Sequence, residues 1–267
     1  MSGSYIVAGA RTPIGKMSGA LASFSAADLG GFAIAAALQR AGVAPHEVEH
    51  VIMGQVLMAG QGQVPSRQAA SKAGIPMSVP SVNINKVCLS GLNSIYLGNQ
   101  MIMAGEADIV VAGGMESMTN APYLAAGARS GFRYGNTELA DAIVKDGLWC
   151  AFDACLMGLG TERYAGGGIT RQQQDDLAMK SNVRAAAAIA AGRLADEIVP
   201  VSIPQRKGDP VVVANDEGVR ADTTMDSLGG LKPAFDKEGT ITAANASQIS
   251  DGGSAVVLMS EKAVNAR

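Results

Sequence analysis

Residues 108–113, Asp-Ile-Val-Val-Ala-Gly, form a near-continuous apolar run that follows a long helical pattern, and this succession recurs along the first half of the chain. A strand apolar on both sides must be covered on both sides. The pattern before it, Cys88 to Ala104, carries Leu89, Leu92, Ile95, Tyr96, Met101 and Ile102 around most of its circumference and ends at Gly105. A helix of that kind is expected to be buried. Tyr5 to Ala8, Val51 to Val56, Val82 to Ile84 and Ser254 to Met259 read as further strands, the first ended by the turn Arg11-Thr12-Pro13. Ser25 with Asp28 predicts a capping box for a helix through Leu29, Phe32, Ala33 and Ala36 that stops at Gly42, and Pro65 opens a short helix closed by Gly74. Strands alternating with helices in this way predict an α/β layer with helices on both faces of the sheet.

After Met118 the character changes. The stretch from Thr119 to Thr161 is rich in Gly, Ala and aromatic residues without steady periodicity, which reads as an inserted region. Thr170 with Gln173 caps one more helix, running to Gly192, and Val199 to Ile203 and Val211 to Ala214 are short strands. The expected organisation is therefore a sheet domain over 1–118 and 250–267, with an inserted domain over 119–249. Ser260 and Glu261 look like a helix start followed by only six residues. So short a helix does not recover its nucleation cost alone, so the expectation is a piece of a longer protein.

With 267 residues, 48% of them hydrophobic, the chain can bury a real core. The 21 basic and 24 acidic residues give a net charge of −3, which supplies no electrostatic reason for nucleic acid or an anionic membrane as partner. Met1 to Gly15 lacks the pattern of a secretory leader, and no apolar run approaches the roughly 18 residues of a membrane span. Three cysteines, an odd number, argue for reduced thiols and a cytoplasmic protein. The 33 glycines do not assemble a nucleotide-binding fingerprint. Gly158-Leu159-Gly160 is followed by Thr161, Glu162 and Arg163, and Gly166-Gly167-Gly168 precedes a helix with no strand before it.

Two motifs carry chemical signals. His46-Glu47-Val48-Glu49-His50 spells a zinc-peptidase pattern, two histidines one helical turn apart with a glutamate as base. Its context opposes that reading: Pro45 precedes it, a strand follows at once, no third histidine exists, and no Asp or Glu lies between Glu49 and Glu106. A solvated helix-to-strand turn is expected, with no metal. The second motif, Asn85-Lys86-Val87-Cys88-Leu89-Ser90-Gly91, places a cysteine where a strand hands over to a helix. Backbone N–H groups at a helix start favour a thiolate, and the small residues Ser90 and Gly91 admit a ligand near the backbone. Locally, a core thiol and a reactive nucleophile both remain open for Cys88. Cys150 and Cys155, beside Trp149 and Phe152, read as packing residues.

Taken together, NINKVCLSG, VAGGMESMTNAPY and TAANASQISDGGSAVVLMSE, in this order and spacing, resemble the thiolases from Tyr5 to Arg267. The resemblance covers roughly the first two thirds of such an enzyme, and implies a layered α/β fold with an inserted loop domain that binds coenzyme A. It implies reversible condensation and thiolysis of acetoacetyl-CoA or another 3-ketoacyl-CoA, with acetyl-CoA as partner substrate and Cys88 accepting the acyl group. No cofactor is implied beyond the coenzyme A thioesters themselves. It implies that Leu148 and Met157 line the pantetheine tunnel, that Arg220 lies against the adenine, and that Ser227, Ala243 and Ser247 face the coenzyme A chain. Read as residues alone, Arg220 is a solvated charge and Ser227 and Ser247 are turn residues. Many relatives carry histidine where this chain has Leu156. Family members also take their base and acid, a histidine and a second cysteine, from a carboxy-terminal half that is absent from these residues. A homodimer or homotetramer is expected. A non-catalytic CoA-binding or interaction protein that kept the fold is the alternative.

Overall fold

The computed structural model describes residues 3–165 and 168–267. Gly166 and Gly167 of the triple-glycine run lie outside the described residues, as do Met1 and Ser2. In chain order the elements begin with β1 (Ser4–Arg11), β2 (Gly15–Lys16), α1 (Ala26–Ala41), β3 (His50–Gly54), α2 (Pro65–Lys72), β4 (Ser81–Ile84), α3 (Ser90–Met103) and β5 (Ile109–Ser117). They continue with β6 (Tyr123–Leu124), β7 (Ala140–Asp141), β8 (Trp149–Cys150), β9 (Cys155–Leu156), α4 (Met157–Ala165) and α5 (Arg171–Ala190). The last are β10 (Val201–Ile203), β11 (Val211–Val213), α6 (Met225–Gly229), β12 (Ser250–Ser260) and α7 (Glu261–Asn265).

The chain divides into two compact units. The first holds the residues through Ala121 together with Asp196–Glu217 and Ser250–Arg267, and the second holds Pro122–Ala195 and Gly218–Ile249. In the first, the sheet runs β1-β12-β5-β3-β4, with β2 pairing β12. The β1, β12 and β5 pairings are antiparallel, whereas β5, β3 and β4 run parallel.

Alternation along the strands assigns the two faces of the sheet. Val51, Met53, Val111, Val257 and Met259 pack with α1 and α2 through Ala33, Ala37, Ala69 and Ala70. Ile52, Val110, Ala112 and Leu258 face the other way, toward Ile95 and Ile102 of α3. Helices thus cover both faces, as the apolar runs require. The expected capping box at α1 is present: Ser25 Oγ accepts from Asp28 N, Asp28 accepts from Ser25 N, and Gly42 closes the helix at φ 63°. Burial would push the Asp28 carboxyl up, but the bonds from Lys72 and Ser25 outweigh it and hold it below the ordinary range.

The structure corrects two expectations. Residues 119–121 and 196–217 belong with the sheet unit rather than with the insert. Arg11 grips that segment, with Nη1 2.7 Å and Nη2 3.0 Å from the Asp216 carboxylate and Nε 2.8 Å from Glu197. Glu217 accepts from Lys16 N and Ala20 N, and Val201 is buried with Leu21 and Leu29. The strands of this segment pair locally, but its attachment to the sheet unit comes from ion pairs and side-chain bonds to distant backbone.

The second correction concerns α3, which starts at Ser90 rather than Cys88. Its buried residues are Ser90, Ser94, Gly98 and Ile102, one every turn, while Leu92 and Tyr96 are 64% and 56% exposed. Small side chains on the inner stripe let the helix approach closely. A Cβ on Gly98 would stand 2.6 Å from Leu258 Cδ1, and one on Gly54 would stand 2.5 Å from the Ser90 carbonyl carbon and 2.6 Å from Gly91 N.

Gly54→Ala is expected to cost about 2 kcal/mol, because its Cβ meets backbone that cannot give way. Gly105→Ala, at φ +74° with open space around it, should cost only the left-handed penalty of about 1 kcal/mol. Urea midpoints of the two variants check this ranking, and equal costs would contradict the close-approach account.

Candidate functional site

The site begins where β4 ends. Asn85 Oδ1 accepts from Val87 N at 2.9 Å, forming a local turn, and Val87 takes a left-handed φ of 52°, a conformation β-branched residues rarely adopt. Ser90 holds the turn closed, its Oγ accepting from Lys86 N at 2.8 Å and donating to Val87 O at 2.6 Å. Leu89 N and Ser90 N bond back to Lys86 O and Val87 O. Cys88 sits at the tip as a free, exposed thiol. Within these residues the thiol is not packed into the core. The sulfur precedes the first residue of α3 by two positions, so it stands on a strained turn ahead of the helix.

Buried polar side chains brace the strands beneath that turn. Gln55, 1% exposed, accepts from Asn83 Nδ2 at 3.2 Å, and its backbone N donates to Ile84 O at 3.0 Å. Asn83 Oδ1 accepts from Ser66 N, which ties the start of α2 to the strand leading to Cys88. Glu116, near the end of β5, accepts from Val56 N at 2.8 Å and Leu57 N at 3.2 Å. Burial pushes its carboxyl above the usual glutamate range despite those two bonds. Neither Gln55, Asn83 nor Glu116 is evident from local sequence. The available signal is an acid closing the otherwise apolar run Gly113-Gly114-Met115.

The other six expected site residues lie in the second unit. Leu148 ends a π-helical turn over Ile143–Leu148, and Met157 opens α4 and is about half exposed. Arg220 is exposed, with its backbone N donating to Asn182 Oδ1 on α5 at 2.9 Å. Ser227 is the third residue of α6, where its Oγ accepts from Thr224 N and donates to Thr224 O, a helix-capping task. Ala243 and Ser247 are exposed in the loop between α6 and β12.

Two acids that motif reading passes over organise these segments. Asp175 of α5, 2% exposed, takes Arg171 Nε at 2.6 Å and Asn245 Nδ2 at 2.9 Å. The same Arg171 guanidinium donates to Leu228 O and Leu231 O, so α5 holds both α6 and the loop carrying Ala243 and Ser247. Glu162 of α4 accepts from Thr240 N and Ile241 N. Burial would raise its carboxyl, but those bonds win and hold it below the ordinary range.

The histidine motif divides between two elements. Pro45–Glu47 is a single 3-10 turn and His50 is the first residue of β3, so the two imidazoles do not share a helical face. Burial lowers the His50 pKa, with Glu106 opposing the shift. Glu47 accepts from Ala44 N, and Glu49 from Ile109 N. Among the described residues no group of three or more His, Cys, Asp or Glu is placed to hold a metal ion, and no helix is long and apolar enough to cross a membrane. A cleft lined by Glu47, Glu49, Asp108, Lys262 and Arg267 lies at the other end of β3 and β5 from Cys88. It is occupied by ion pairs, with Lys262 Nζ 2.7 Å from Asp108, so it is not a candidate for this chemistry.

A free nucleophile on a strained turn, before a helix seated on glycines, is one half of the comparison. The other is the family described as "Thiolase, N-terminal domain", which matches residues 4–262. The chain belongs to the thiolase family. Its relatives include a "Probable acetyl-CoA acetyltransferase" of Mycolicibacterium smegmatis, 56% identical over 96% of this chain and 66% of that protein. An "Acetyl-CoA acetyltransferase" of Cupriavidus necator is 55% identical over 97% of this chain and 66% of that protein. One of Pseudomonas aeruginosa is 49% identical over the same shares. This thiolase chain thus spans 66% of the length of the curated relatives it matches.

Glu116 gives a pH test. Its folded pKa lies above the unfolded value, so its contribution is fully present below the unfolded pKa and is lost as pH rises through the folded one. Stability relative to Glu116→Gln should therefore fall as pH rises above the ordinary glutamate range of about 4, read from denaturant midpoints at several pH values. A difference that grows with pH would contradict the assigned shift.

Proposed function

We propose that this chain is the nucleophile-bearing portion of an acyl-CoA C-acyltransferase that makes or cleaves acetoacetyl-CoA or another 3-ketoacyl-CoA. The observation that carries the reading is Cys88, free and exposed at the tip of a turn whose every bend is hydrogen-bonded. The relatives' names, acetyl-CoA acetyltransferases, support acetyl-CoA as the acyl donor.

In the proposed reaction Cys88 gives up its proton, its thiolate attacks the thioester carbonyl, the carbon–sulfur bond to coenzyme A breaks, and the departing coenzyme A thiolate takes that proton back as a thiol. An acyl-cysteine divides a difficult carbon–carbon step into two acyl transfers. The second unit, Pro122–Ala195 with Gly218–Ile249, is proposed to bind coenzyme A. Leu148 and Met157 would line the pantetheine, Arg220 would stack on the adenine, and Ala243 and Ser247 would face the chain of the ligand. For Ser227, whose hydroxyl is spent on the α6 cap, the proposed contact is made with that bond in place. The catalytic base is assigned outside these residues, because His46 and His50 stand by the ends of β3 and β5 opposite Cys88. The complete protein is proposed to be a cytoplasmic homodimer or homotetramer that uses no cofactor beyond its thioester substrates.

Incubating the full-length protein with acetyl-CoA and mapping the acetyl group by mass spectrometry should place it on Cys88. Cys88→Ala should lower turnover at least about a thousandfold. Alkylation of Cys88 should be slowed by coenzyme A. Acetylation elsewhere, or full activity of the alanine variant, would overturn the reading. The 267-residue piece alone should turn over orders of magnitude more slowly than the full-length protein, for want of its base.

A further inference from the structure

Between Leu148 and Met157 the chain forms a short hairpin, β8 paired antiparallel with β9, in which Trp149 faces Leu156 and Cys150 directly faces Cys155. Directly opposed residues in such a pair put their side chains on one face with Cα atoms roughly 4.5–5.5 Å apart. A disulfide spans Cα separations of about 4.4–6.8 Å, so the register suits one without backbone movement. Both cysteines are free thiols.

Their surroundings differ in a way that assigns roles. Cys150 is partly exposed, and its Sγ accepts from Asp153 N at 3.4 Å. Cys155 is only 4% exposed, and Arg163 Nη1 reaches its Sγ at 3.6 Å. The connection over 151–154 is closed by Ala154 at φ 49°, so the loop-closure entropy of bringing the sulfurs together is already spent on folding. Packing explains Cys155 but leaves unexplained why the residue across from it is a second, accessible thiol.

We propose that Cys150 and Cys155 are a reversible dithiol–disulfide pair, with Cys150 meeting the oxidant and Cys155 resolving. The oxidant is a low-molecular-weight disulfide such as oxidised glutathione. Cys150 gives its proton to solvent and attacks one sulfur of the oxidant, whose S–S bond breaks to release the first glutathione thiol. Cys155 then gives up its proton and attacks Cys150 Sγ, the mixed S–S bond breaks, and the second glutathione leaves. Two protein thiols lose two electrons, and one small disulfide becomes two thiols. Only Cys150 has to meet the oxidant, which fits the burial of Cys155. The bond staples the segment between Leu148 and Met157. Any effect on coenzyme A rests on the function proposed above, whereas formation of the bond does not.

The test uses full-length protein carrying Cys88→Ser, equilibrated in glutathione buffers of rising oxidised share, quenched with an alkylating agent and digested with trypsin. Cleavage after Lys145 and Arg163 leaves both cysteines in one peptide, Asp146–Arg163. The expected product is that peptide lighter by two hydrogens, without glutathione or alkyl label, and restored by dithiothreitol. Cleavage at Asp153 should leave two halves joined until reduction. Emission from Trp149, the single tryptophan, should fall on oxidation. Cys155→Ser should retain a glutathione on Cys150, and Cys150→Ser should leave Cys155 as a free thiol. Two alkylated thiols, or a persistent glutathione adduct in the otherwise unaltered hairpin under fully oxidising buffer, would overturn the proposal. Because the readout is mass alone, failure of coenzyme A binding does not affect it.

Discussion

The close seating of α3 on the sheet governs where the nucleophile stands. Gly54 on β3 and Gly114 on β5 are paired in the ladder, and Gly91 of α3 rests over them, with the place of a Gly114 Cβ only 3.3 Å from Gly91 Cα. At Gly54 no larger residue fits without moving backbone. The start of the helix is thereby pressed against the ends of two parallel strands, directly after the turn that carries Cys88. Within that turn the side chains of Asn85 and Ser90 take up the Val87 and Lys86 N–H groups, beside the backbone bonds of Leu89 and Ser90.

A second theme is the work of carboxylates on backbone N–H groups. Glu116 holds the segment after β3, Asp216 and Glu217 hold the loop after β1, Glu162 holds residues 240–241, and Asp251 takes Thr119 N at the exit of the sheet unit. Each acid satisfies amides that no helix or strand would otherwise pair, and charge-assisted bonds of this type are stronger than neutral ones. Long loops rich in glycine can be ordered this way without a large core. Their acids are therefore structural, which leaves the exposed residues of the same loops available for a ligand.

Much of the sheet unit was legible beforehand. The capping boxes at Ser25 and Thr170, the glycine stops at Gly42, Gly74 and Gly192, and the strands at 51, 82, 109 and 254 all follow from local chemistry, and the structure places them within a few residues of expectation. Strand β12 was longer than its apolar run, because Ser250 to Gly253 are polar or small yet still pair with β2 and β5. For α3 the local pattern marks an apolar helix but not the stripe that meets the sheet. An apolar circumference says that a helix can be buried, whereas which stripe meets the sheet depends on where small residues permit contact.

Local sequence by itself determined the layer type, the caps, and a cysteine between strand and helix, because these depend on neighbours within a turn or two. Tertiary structure alone decided that Cys88 is exposed, that residues 196–217 join the sheet through Arg11, that Glu162 and Asp175 assemble the second unit, and that Cys150 opposes Cys155. Each of those facts is a contact with a partner chosen by folding, through strand register, close approach or a buried charge, and no local pattern encodes the partner.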